Sequence, residues 1–171
     1  MNFCFLQKKV EYLGHIISEK DVAVNPFKIG AMQNWLTPRN IKLLHGFLGL
    51  TGYYCKFVKN YGEISAPVTS LLKKDVFQWS DRASTAFDKL KAAITTTPVL
   101  ALSDFNRPFI IKADAFGDRM GDVLMQDGRP LTYISKTLSP PYQNMLTYDK
   151  EMLAIVHAAT RWRSYLIRRH F

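Results

Sequence analysis

Cysteine is nearly absent. The 171 residues hold two, Cys4 and Cys55. Far apart, with no Cys or His at ligand spacing, they make neither a zinc pattern nor a disulfide scaffold. Reduced thiols in an intracellular setting, cytoplasm or nucleus, are the expectation. Long apolar runs are missing too. None approaches the ~20 residues a helix needs to cross a bilayer, so no membrane partner is expected. There is no glycine-rich phosphate loop, and no small-molecule cofactor is expected. His15, His45, His157 and His170 share no ligand spacing. The opening MNFCFLQKK lacks the shape of a signal peptide. It starts inside what reads as a strand, so the chain is expected to begin part-way into a larger protein.

Acid is scarce relative to base. Lys and Arg number 23 against 14 Asp and Glu, a net charge of +9. The surplus is +6 over residues 1–100, from 13 basic and 7 acidic side chains, and +3 over 101–171, from 10 and 7. A spread-out positive surplus suits an extended polyanion better than a small acidic ligand. Hydrophobic residues make up 47% and aromatics 13%, enough for a real core.

The chemistry centres on Pro108 to Gln126, PFIIKADAFGDRMGDVLMQ. An apolar strand ends in Asp114, a glycine-marked turn follows, and a second strand returns. A buried carboxylate there would neutralise unless a cation met it. A divalent metal is one such cation. Glu151, early in the last helix, borders the face expected to pack on the sheet and can point toward the end of that strand. Two such acids would make a hard oxygen site suited to Mg²⁺ or Mn²⁺. Spacing alone leaves a solvated glutamate at a helix start as the competing reading. Asp118, Asp122 and Asp149 read as turn, turn-strand and helix-start residues.

Taken in order, residues 3–24 read as a hairpin turning at Gln7, Lys8 and Lys9, with Gly14 marking a bulge or a close backbone approach. Asn25-Pro26 and Thr37-Pro38 both read as helix starts. The stripe from Ile41 to Tyr61 reads as a helix kinked or divided by its glycines. Pro67 falls early in a third short helix, and Ser80 caps a fourth with Ala83, Ala86, Phe87, Leu90, Ala93 and Ile94 on one face. From Val99 the pattern turns to strands, over 99–102, 108–114, 121–126 and 130–136, with Asp127-Gly128 as a hairpin turn. Thr147 then caps a helix presenting Tyr148, Met152, Ile155, Ala159, Trp162 and Leu166. The fold class is α+β: a β-hairpin, a small helical module, and a three-stranded antiparallel sheet with one covering helix. With a sheet edge left open, the second half should be the less stable.

Residues 10–18 (VEYLGHIIS), 46–54 (GFLGLTGYY), 98–105 (PVLALSDF), 112–117 (KADAFG), 123–136 (VLMQDGRPLTYISK) and 147–154 (TYDKEMLA) together resemble the reverse transcriptase polyprotein of gypsy-class LTR retrotransposons. The resemblance implies the end of a polymerase palm over 1–24, a helical thumb and connection over 25–97, and the N-terminal half of an RNase H-like domain over 98–171. It implies that Asp114 and Glu151 match the first two RNase H carboxylates, catalytic and Mg²⁺-binding in a two-metal cleavage of the RNA strand of an RNA–DNA hybrid. Leu13, Gly14 and His15 resemble the primer grip. Arg161 and Arg163, with Arg168 and Arg169, crowd the last helix near where such proteins hold hybrid. The implied partners are RNA–DNA hybrid or other nucleic acid and the remainder of the polyprotein.

The same resemblance places the polymerase aspartates upstream of Met1 and two further RNase H carboxylates downstream of Phe171. The expectation is a chain that binds metal weakly and neither polymerises nor cleaves alone. Phe116, Arg119 and Asp122 depart from the small residues usual in the motif, and His45 and Cys55 stand where arginine is common. The alternative expectation is a domesticated, non-enzymatic nucleic-acid-binding or protein-interaction module.

Overall fold

The computed structural model describes residues 8–73, 77–97 and 99–167. Two antiparallel sheets flank a helical core, which confirms the α+β class. Strands β1 (Lys9–Tyr12), β2 (His15–Ser18) and β3 (Asp21–Val24) form a meander. Its first turn is Leu13-Gly14, both with positive φ (49° and 76°). That pair matches the twist of a tight hairpin. The turn expected at Gln7–Lys9, with the strand before it, falls largely outside the described residues. The close backbone approach expected at Gly14 is real: a Cβ there would lie 2.5 Å from the Tyr54 hydroxyl.

Helix α1 (Pro26–Gln33) starts where Asn25 accepts from the Phe27 N–H, with proline in the first turn. Helix α2 (Ile41–Tyr53) is capped by Asn40, which accepts from the Leu43 N–H, and not by Thr37. It runs unbroken through Gly46, Gly49 and Gly52 into a 3₁₀ turn over Cys55–Phe57. The glycines do not divide it. Helix α3 (Tyr61–Thr69) carries Pro67 near its C-terminal end and gives way to a second 3₁₀ turn at Ser70. Helix α4 (Asp81–Thr95) follows the sequence closely: Ser80 accepts from the Ala83 N–H, and Ala83, Ala86, Phe87, Leu90 and Ile94 are buried. These helices enclose one continuous core with Met32, Leu44, Phe47, Tyr54, Phe57 and Val68.

After α4 the chain returns to the first sheet. Strand β4 (Leu100–Ala101) pairs with β3, giving the order β1-β2-β3-β4. The strand expected over 99–102 thus closes the first sheet. Leu100 joins the helical core.

The second sheet is β5 (Ile110–Phe116), β6 (Arg119–Gln126) and β7 (Arg129–Thr137), antiparallel in that order, with Asp127-Gly128 in the last turn as read from sequence. A short helix α5 (Pro140–Gln143) leads to α6 (Thr147–Arg161) and a final turn α7 (Arg163–Leu166). Helix α6 covers the sheet with Ala154 and Ala158, and Trp162 and Leu166 past its end are buried as expected, while Tyr148, Met152 and Ile155 are exposed. Toward its N-terminal end the face differs from the expected one, because the small alanines let the helix lie close on β5, against Ala113 and Ala115. Thr147 begins the helix without a capping bond from its side chain or from Leu146.

The halves are stitched at α3 and β7. The Gly62 N–H donates to Ser135 Oγ, and a Cβ on Gly62 would lie 2.8 Å from that oxygen. Asp21 on β3 pairs with Arg129 at the start of β7.

Candidate nucleic-acid interface

The two carboxylates singled out in the sequence are both exposed. Along β5, Ala113 and Ala115 turn toward α6. Strand alternation sends Asp114 to the opposite face. There it lines a cleft of about 480 Å³ with Lys59, Asn60, Glu63, Lys112 and Arg119. Glu151 stands in the first turns of α6, in line with Ala154 and Ala158. Lys150 beside it donates to the Gly117 carbonyl at 2.7 Å, which pins the helix start over the β5–β6 turn. Asp114 and Glu151 thus sit on two elements that pack on one another, β5 and α6. Among the described residues no group of three or more His, Cys, Asp or Glu converges on a point. Their hard oxygens suit Mg²⁺ chemically.

The buried acid is Asp122. It lies on the α6 side of β6, 3% exposed, among Met120, Leu124 and Gln126. His157 of α6 faces it at 3.4 Å, and Asp122 Oδ1 has no partner. Burial pushes its pKa up to about 6, the hydrogen bond and charge of His157 pull it back, and Asp114 adds a small push upward. Sequence reading placed Asp122 where the turn enters the second strand and His157 on a helix face. The signal for their meeting was the inward alternation of β6, legible only once the direction of that strand's faces is known.

Arg119 fits without crowding the turn. Gly117, at φ 62°, and Asp118 make the β5–β6 turn, and Arg119 pairs with Asp118 at 3.4 Å and Glu63 at 3.8 Å. This cleft is charge-balanced, with three cations against three acids on its walls.

The Leu13-Gly14-His15 corner is held by the C-terminal end of α2. Tyr53 donates to the Leu13 carbonyl at 2.9 Å and Tyr54 to the Gly14 carbonyl at 3.2 Å. The Asn25 N–H donates to the Gly14 carbonyl as well, at 3.0 Å. His15 is buried against Tyr53, Tyr54 and Phe57, stacked on Tyr53 at 5.3 Å. Desolvation and then the nearby Lys56 charge lower its pKa. Leu13, by contrast, is 67% exposed at the tip. Sequence reading found the corner but not the two tyrosine hydroxyls that fix it. Arg161 and Arg163 are exposed on α6 and α7, while Arg168 and Arg169 lie outside the described residues.

A model of the RNase H-like domain found in reverse transcriptase matches residues 79–171. The chain belongs to that family. The Pol polyprotein from transposon 297 of Drosophila melanogaster is 41% identical over 169 residues, covering 98% of this chain and 16% of that protein. The Pol polyprotein from transposon gypsy of the same fly is 35% identical, over 95% of this chain and 17% of that protein. The chain thus spans about one sixth of these curated relatives. The foamy viral protease-reverse transcriptase in complex with RNA/DNA hybrid has the same fold over 95% of this chain and 23% of its own, at TM-score 0.86 and 20% identity. That match extends from the first sheet through the helices into the second sheet, so the resemblance read from ordered motifs holds along nearly the whole chain. Among the described residues no helix is long and apolar enough to cross a membrane.

Proposed function

We propose that this chain is a nucleic-acid-binding part of a retroelement reverse transcriptase that holds RNA–DNA hybrid and does not cut it unaided. The observation that carries the reading is the collinear likeness to retrotransposon Pol proteins across the helical half and the sheet half alike. A net charge of +9 supplies the electrostatic term that backbone binding needs. The exposed tip of the Leu13-Gly14 turn, rigidly held from α2, suits contact with a primer strand. Arg161 and Arg163 suit phosphate contacts at the far end.

Catalysis in the parent would fall to Asp114 and Glu151 with Mg²⁺ or Mn²⁺. That ion would supply a Lewis acid and a nucleophilic water. As placed, the pair lacks a third donor among the described residues. We expect weak metal affinity, and no RNase H or polymerase activity from these residues alone. The intracellular setting stays part of this proposal. A second reading, a domesticated binding module without catalytic descent in use, is favoured by Asp122 and Phe116 standing inside the motif.

Salt-titrated binding tests the proposal. The chain should bind a short RNA–DNA hybrid more tightly than duplex DNA, with affinity falling steeply as salt rises. Equal, salt-independent or absent binding of both would overturn it and leave a protein-interaction role.

A further inference from the structure

A second cleft, of about 490 Å³, lies where the helical half meets the sheet half. Its walls include Cys55 and Lys56 of the first 3₁₀ turn, Ser103 beyond β4, Thr132 and Tyr133 of β7, and Arg161 at the end of α6. Two cations line it and no Asp or Glu does. The charge-balanced cleft beside Asp114 is the contrast.

Both cations lie on its wall beside Cys55. The Lys56 ammonium rides over the Phe57 ring at 5.4 Å and makes no ion pair among the described residues. Burial lowers its pKa, which marks an ammonium partly stripped of water with nothing negative to compensate beyond a slight effect of the Cys55 thiol. Burial also raises the pKa of that thiol, while Lys56 and, from the other wall, Arg161 draw it down. The fields of both cations therefore overlap at Cys55. A half-buried positive charge without a counter-charge is a standing cost that a bound anion removes. Ser103, Thr132 and Tyr133 add hydroxyl donors suited to oxygen acceptors.

We infer that this cleft is a phosphate site: it takes one phosphate group, from a nucleic-acid backbone or as free phosphate, between Lys56 and Arg161 with the neighbouring hydroxyls. The backbone source rests on the nucleic-acid reading above. The free source does not.

Cys55 in the cleft wall is a built-in reporter. In a Cys4→Ser background, its alkylation by iodoacetamide is timed with and without a short RNA–DNA hybrid, and with and without inorganic phosphate against chloride at equal ionic strength. Hybrid binding is titrated with salt in parallel for the parent, K56Q, R161Q and K42Q. R161Q changes an exposed side chain and so guards against misfolding, and K42Q removes a charge from the exposed face of α2. A bound phosphate should slow alkylation several-fold in the parent and leave it unchanged in K56Q and R161Q. Slowing by hybrid assigns the backbone source, and slowing by inorganic phosphate alone assigns the free one. In the first case the salt slope should fall by about 1 in K56Q and in R161Q but not in K42Q. If neither ligand slows Cys55 alkylation, or K42Q lowers the slope as much as the other two, the site is refuted. If the parent fails to bind hybrid but phosphate still protects Cys55, the functional reading falls and the phosphate site stands.

Discussion

The helical half and the sheet half are built to different standards. The first encloses one continuous core running from Val24 through Phe47, Phe57 and Phe87 to Leu100. The second divides its buried apolar residues between two small clusters, one around Phe109, Leu124 and Trp162 and one around Ala115, Met120 and Ala154. A buried carboxylate with one unpartnered oxygen sits beneath α6. Strand β5 is an edge, unpaired on its outer side among the described residues. Shape-filling aromatics make the first half a scaffold, while the second spends stability on charge. That difference suits a chain whose contacts with nucleic acid ride on a stiff support.

The largest test of the comparison is core truncation. Phe47→Ala should cost about 3–5 kcal/mol and unfold both halves, since the sheet half leans on α3 and the first 3₁₀ turn. Leu124→Ala, at about 2–5 kcal/mol, should strip protection from β5–β7 while α2 and α4 keep theirs. Hydrogen exchange reads both. Equal loss across the molecule in the Leu124 variant would erase the distinction.

The halves should also answer pH in opposite directions. Asp122 has a folded pKa raised to about 6 from 3.8. The stability it contributes is complete below its unfolded value and is lost as pH rises through 6. Asp122→Ala should therefore remove the decline in sheet-half stability as pH rises through 6 in thermal melts. His15 has its folded pKa lowered from 6.5. Its contribution is present above 6.5 and is lost on acidification, so the helical half should weaken where the sheet half gains.

Smaller effects sharpen the picture at the corner and the acids. Gly14→Ala forces a side chain into positive φ against the Tyr54 hydroxyl and should cost about 1–3 kcal/mol. Tyr54→Phe, losing one hydrogen bond, should cost about 1 kcal/mol, by denaturant titration. Asp114→Asn and Glu151→Gln, both exposed, should move stability by less than about 0.5 kcal/mol while lowering any Mg²⁺ affinity seen by calorimetry.

Local signals were the legible part of this sequence. Helix α4 needed only its Ser80 cap and a clean apolar stripe. The start of α1 needed only Asn25-Pro26. The Leu13-Gly14 turn was not read as one, because Leu13 at φ 49° does not look like a turn residue. The face of α6 was read from its large side chains, yet the sheet is met by Ala154 and Ala158, which carry little pattern. The return of β4 to the first sheet, the Asp122–His157 pair and the meeting of Lys56 with Arg161 each depend on residues tens of positions apart. The candidate acids were found by motif.

The most direct test of the account is a gel of labelled RNA–DNA hybrid incubated with the chain in Mg²⁺ or Mn²⁺, beside a binding titration of the same duplex. The account predicts a retarded complex with the RNA strand intact. RNA cleavage that disappears in Asp114→Asn would contradict it.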